Sequence, residues 1–404
     1  MSTASTTESP RSVAASLERR DALLAAVDEL AAEFEANARQ AELDRRLPQA
    51  VADRMRDADL FWMKTPLELG GTELHPLHFA DVMERIAYHD ISAAWATMIG
   101  NGTTGVMAGW LPEAGAADLF ADDDRPITAG QFTPRGVAVP TEGGYRITGR
   151  WGFGSGIGHA NWIVGAAIVE GTHDILFFAA PKTDATVYDT WHVAALQGTG
   201  SNDYSVDDLF VPEHRTMGAY GAVSTRDGHC FRMPISIFIS NEISPMAVGI
   251  ARRAIDDMVD LAKSTARSLT GVGDLIDRIP FQKALGQALA KWHAARALSR
   301  AATQEAYDIV DAGGVIDDDK VADLWARHTY VGELCEELVH DLFRYGGGRV
   351  LSLKSPMQRH ARNLLGVLQH IHLSDEKFEF AGAAYIRERT GLDGVGDGRR
   401  ATAG

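Results

Sequence analysis

The chain changes its hydrophobic period twice. From about Ser12 to Leu119 apolar residues recur at three- and four-residue spacing, as in LLAAVDELAAEFEANARQAELDRRL. That period predicts amphipathic helices. Pro48, Pro66 and Gly70-Gly71 punctuate them, and Asp90 and Ser92 offer N-caps for a helix through SAAWATMIGNGTTGVMAGWL. From about Pro126 to Arg215 the period moves toward two. GYRITGRW, NWIVGAAIVEG, DILFFAAP and SVDDLFVP are short, β-branched or aromatic, and separated by turn residues. From about Ile243 to Arg389 the helical period returns. Pro280, Gly313-Gly314, Gly346 to Gly348 and Pro356 cut this stretch into roughly four long helices.

The expected architecture is therefore α+β. A helical domain over residues 12–122 precedes an antiparallel β domain over 123–232 and a four-helix bundle over 233–392. Long amphipathic helices have a second apolar stripe to cover, which predicts a homo-oligomer.

Composition narrows the function. Lys and Arg total 39 against 55 Asp and Glu, a formal charge of −16 in 404 residues. That balance argues against nucleic acid or an anionic membrane as partner. No stretch of about 18 apolar residues is present, and the polar N-terminus lacks the apolar run of a secretory signal; the expected location is cytoplasmic. Cys230 and Cys335 form no CxxC, and no HExxH exists, so no metal site is expected. No P-loop or Rossmann fingerprint supports independent NAD(P)H binding.

The densest chemical signal is GRWGFGSGIGHANW, Gly149 to Trp162. Glycines let a backbone approach a ligand, and aromatics can face a planar ring. An aromatic-rich hairpin in a β core would read the same way. Upstream lies ITAGQFTPRG, downstream LQGTGSNDYSVDDLFVPEHR, and near the C-terminus SPMQRHARNLLGVLQHIHLSDEKFEFAGAAY.

In domain order and in these segments the chain resembles the acyl-CoA dehydrogenase superfamily, in its flavin-dependent monooxygenase branch. The resemblance spans about residues 20–390. It implies the oxygenase component of a two-component system: reduced FMN (or FAD) arrives from a separate flavin reductase, reacts with O2 to a C4a-hydroperoxide, and oxygenates a small organic substrate. It places Ser155 near flavin N5, Trp151 and Phe153 beside the ring, and Gln131, Phe132 and Thr133 at the pyrimidine edge. It makes Arg267 and Ser268 a clamp for the flavin phosphate, and implies a homotetramer or dimer. Leu196 to Arg215 supports the fold rather than the reaction.

The resemblance also gives Gln369-His370 the place of a catalytic histidine, which near its neutral titration could donate a proton to the peroxide. His372 lies about 200° further round a regular helix and is expected to face elsewhere. Leu368 stands where many dehydrogenases carry a glutamate base. Trp95, Asn101 and His159 are the candidate pocket residues. Two rival readings remain: an FAD-containing acyl-CoA dehydrogenase, and a non-catalytic helical oligomer retaining the fold.

Overall fold

The computed structural model describes residues 9–122, 124–219, 222–263, 274–392 and 395. Arg267 and Ser268 lie outside them.

The first helical layer comprises α1 (Val13–Asp44), α2 (Gln49–Asp57), α3 (Pro76–His89), α4 (Ile91–Trp110) and α5 (Glu113–Leu119). Asp90 caps α4 by accepting from the Ala93 N–H at 2.7 Å. Helix α4 is buried on almost every side, consistent with its Ala- and Gly-rich sequence.

The sheet contains β1 (Thr128–Thr141), β2 (Gly144–Gly154), β3 (Trp162–Val169), β4 (Ile175–Pro181), β5 (Thr186–Tyr188), β6 (Asn202–Pro212) and β7 (Thr216–Gly218). Their spatial order is β5-β6-β2-β1-β3-β4-β7. The sheet is mixed, which corrects the antiparallel expectation: β1 and β3 are parallel. Strand β2 returns beside β1, so the short link to Trp162 starts β3 at the end where β1 also starts.

Two irregularities in the sheet matter for the site. The β1–β3 register shifts between Gly130 and Pro134, so residues 131–133 fall between paired segments. The β2–β6 register shifts between Trp151 and Gly154, where Phe153 takes a φ of 59°. A bulge of this kind re-aims a side chain.

The C-terminal layer begins with α6 (Ile235–Ser240) and continues through α7 (Ile243–Lys263), α8 (Ile279–Asp311), α9 (Asp318–Phe343), α10 (Pro356–Val367) and α11 (Glu376–Thr390). Helices α7 to α10 pack together, α11 lies on α9, and α3 docks on α7. The stretch read as one C-terminal helix is two. The chain leaves α10 at Leu368, makes a 3-10 turn at Ile371–Leu373 and starts α11 at Glu376.

Candidate active site

A cavity of about 1340 Å³ lies where the three layers meet. Single small-ligand pockets are typically about 300–1,000 Å³, so a cofactor and a substrate together are within its size. Its walls come from α4, the irregular ends of β1 and β2, the 191–201 loop and the α10–α11 break.

Ser155 follows the β2 bulge and is buried. Its Oγ accepts from Trp95 Nε1–H at 3.0 Å and lies 2.6 Å from Ser201 Oγ. Ser201 Oγ is 2.7 Å from Thr199 Oγ1, which donates to the Leu196 carbonyl at 2.8 Å. The Trp95 ring meets His370 edge-on, with centroids 5.7 Å apart. Trp95 thus joins Ser155 to His370 across 215 residues of sequence separation (370 − 155).

His370 is not inside a helix. It caps the 3-10 turn, and its Nδ1 accepts from the His372 backbone N–H at 3.3 Å. With Nδ1 accepting, a neutral ring carries its proton on Nε2. Burial, with Lys377 nearby, pushes its pKa down to about 4. The ring is therefore neutral at pH 7, which corrects the expectation of titration near neutrality. It meets an oxygen as a neutral hydrogen-bond donor rather than as an imidazolium.

His372 shares the same wall. Its ring stacks on His370 with centroids 5.3 Å apart, and both line the cavity. The 200° separation held only for a regular helix, and the break removes it. Burial, then the His370 and Lys377 charges, drive the His372 pKa down.

Gln131, Phe132, Thr133 and Phe153 also line the cavity. The Gln131 N–H is already given to Tyr204 Oη at 3.2 Å, and its side-chain amide to the Gly152 carbonyl at 2.8 Å. Phe132 stacks on Phe177 with centroids 4.4 Å apart. Phe153 is 66% exposed and meets Trp191 edge-on.

Three expected residues are elsewhere. Trp151 does not line the cavity; its ring lies in the sheet core beside Tyr204 and Phe178, and its Nε1–H donates to the Ala166 carbonyl. On a regular strand Trp151 and Phe153 would share a face. The bulge separates them. Asn101 is a structural staple: its amide donates to the Leu60 and Thr97 carbonyls, and its oxygen accepts from the Lys64 N–H. His159 is half-buried against Phe61, and desolvation lowers its pKa to about 4.

Three cavity residues escaped the sequence reading. The sequence pattern assigns Ser201 to the fold alone. Trp191 follows no strand pattern. Glu242 lines the cavity fully buried, with Oε1 accepting from Lys64 Nζ at 2.6 Å. Burial raises its pKa to about 7. Among the described residues no group of three or more His, Cys, Asp or Glu could hold a metal, and no helix is long and apolar enough to cross a membrane.

Comparison with known proteins places this cavity in a family. The model for the acyl-CoA dehydrogenase N-terminal domain matches residues 18–115, and that for the acyl-CoA dehydrogenase C-terminal domain matches 242–375. A pigment production hydroxylase of Rhodococcus sp. is 32% identical over 380 residues, covering 88% of this chain and 92% of the relative. The flavin-dependent monooxygenase oxygenase subunit HsaA of Mycobacterium tuberculosis is 28% identical over 363 residues, covering 86% and 91%. The chain belongs to the acyl-CoA dehydrogenase superfamily, in its flavin-dependent monooxygenase branch. Solved structures agree on the fold of this superfamily. XiaF from Streptomyces sp., solved in complex with FADH2 and glycerol, matches with a TM-score of 0.85 at 24% identity, covering 94% of this chain and 98% of that one.

The residues fit a flavin. Phe132 and Phe153 offer aromatic surface, Ser155 a hydroxyl in an apolar setting, and the cavity has the volume. The dehydrogenase reading gains nothing: Leu368 cannot accept a proton, and the buried Glu242 is paired with Lys64.

Proposed function

We propose that the protein is the oxygenase component of a two-component monooxygenase, acting on a small, largely apolar organic substrate. The observation that carries this reading is the Trp95 bridge between Ser155 and His370 at the wall of one large cavity. Reduced flavin, when bound, supplies the chemistry that activates dioxygen. FMN is the favoured form, with FAD as the second choice, delivered by a separate reductase. A cytoplasmic homotetramer or dimer is the expected assembly.

Each side chain has a local task. Ser155 accepts the N5–H of reduced flavin. Gln131, Phe132 and Thr133 border the pyrimidine edge, and Phe153 covers the ring. His370, with its proton on Nε2, would be the cavity's neutral donor to an oxygen of the reacting groups. Met98, Ile99, Ile235 and Ile239 line the cavity with apolar surface, which excludes water and suits an apolar substrate. Arg267 and Ser268 remain the proposed phosphate clamp.

The test supplies reduced FMN anaerobically and then admits oxygen, with and without candidate substrates. Oxygenated product, with little hydrogen peroxide, supports the reading. Bleaching of bound FAD by an acyl-CoA, with no product from oxygen, would favour the dehydrogenase.

A further inference from the structure

Counting protons along the Ser155 hydroxyl chain gives it a direction. Trp95 Nε1 can only donate, so Ser155 Oγ accepts there. Thr199 Oγ1 donates its one proton to the Leu196 carbonyl. It must therefore accept from Ser201, whose one proton is then used. Ser201 in turn accepts from Ser155 at 2.6 Å. Every hydroxyl proton is committed, and all four side chains are buried. The only capacity Ser155 has left for the cavity is an acceptor lone pair.

We infer that this chain selects the reduced flavin by its hydrogen-bond polarity. The inference rests on the proposed contact between Ser155 and flavin N5. Reduced flavin carries a hydrogen on N5, whereas oxidised flavin presents a lone pair there. A lone pair facing a lone pair forms no bond. To meet oxidised flavin, Ser155 must withdraw its proton from Ser201, leaving a buried group unsatisfied. Ser201 and Thr199 are thus positioning residues: neither needs to touch flavin, yet they decide which oxidation state Ser155 accepts. Rejection of oxidised flavin suits a protein that exchanges its cofactor with a reductase at each turnover. The segment holding both residues, Leu196 to Ser201, carries left-handed φ values at Leu196 and Gly200, which fold Thr199 back onto the Leu196 carbonyl.

The experiment measures the affinity of the full-length protein for oxidised FMN and, anaerobically, for reduced FMN. Wild type should prefer the reduced form. Ser201→Ala frees the Ser155 proton to turn toward the cavity, so the preference should fall about two- to tenfold, the worth of one neutral hydrogen bond. Thr199→Val should do the same, and Thr199→Ser should restore the wild-type ratio. Should Ser201→Ala fail to fold, the Thr199 pair asks the same question. An unchanged ratio in Ser201→Ala and Thr199→Val, while Ser155→Ala weakens reduced FMN binding, would overturn the polarity argument alone. If Ser155→Ala alters neither affinity, the N5 contact itself fails and the inference falls with it.

Discussion

The two walls of the cavity are built in opposite ways. The hydroxyl wall lies at the end of β2 and the start of β6, with Trp95 reaching in from α4. Its side chains at Trp95, Ser155, Ser201 and Thr199 form one continuous hydrogen-bonded chain. The histidine wall stands on a helix break. His370 and His372 stack there with lowered pKa values, and His372 Nδ1 is buried without a hydrogen-bond partner among the described residues. His328 Nε2, deeper in the bundle, is in the same condition. A satisfied chain fixes geometry, whereas a buried ring nitrogen without a partner keeps hydrogen-bonding capacity in reserve. In the proposed reading the first wall holds the cofactor and the second meets the chemistry.

The largest difference should appear in stability against pH. Burial pushes His75, His159, His328 and His370 down to about 4. Below about pH 6.5 the unfolded chain binds protons that the folded rings refuse. The share of stability set by these rings should therefore be full above that point, fall between about pH 6.5 and 4, and level off below, where carboxylates held low by arginine, such as Glu35 at about 2, carry the further loss. Each ring costs on the order of 3 kcal/mol of stability at the acid end. Asp90 and Glu242, raised to about 6 and 7, act in the opposite sense but are fewer. Denaturant midpoints across that range check the slope. His328→Phe should flatten it, and Thr199→Val should leave it alone.

Next in size is the effect of His370→Ala on the reaction. Loss of the Nε2 donor should lower product per reduced FMN by about 100-fold, with hydrogen peroxide released in its place. Unchanged coupling would remove the histidine wall from the chemistry. Trp95→Phe sharpens the comparison, because it keeps a ring against His370 and deletes only the bond to Ser155. Reduced FMN binding should weaken about two- to tenfold in titrations.

The smallest effect concerns Phe153. Its left-handed backbone costs a non-glycine residue about 1–2 kcal/mol. Phe153→Asn tolerates that conformation better and should gain about 0.5–1 kcal/mol in denaturant unfolding. The same change should weaken flavin binding, since it removes the ring.

The layers were legible because the period of apolar residues switches cleanly between helix and strand. That Ser155 lines a cavity was legible from its glycine-aromatic setting. What escaped was nonlocal or irregular. Strand alternation puts Trp151 and Phe153 together, and only the register shift against β6 parts them. Asn101 read as a pocket residue because its bonds come from Leu60 and Lys64, some 40 positions away. Ser201 reaches Ser155 across 46 residues. One regular helix through this stretch would turn His372 away from the site, and the break between α10 and α11 brings it back. Ser374-Asp375 before Glu376 was the available signal for a new helix start.

The most direct test of the account needs no knowledge of the substrate. Reduced FMN and oxygen are mixed with excess protein, and the appearance of hydrogen peroxide is timed against free FMN. The account predicts slower release with the wild type than from free FMN, and a partial return toward the free rate in Ser155→Ala. Peroxide appearing at the free-flavin rate with the wild-type protein would contradict it.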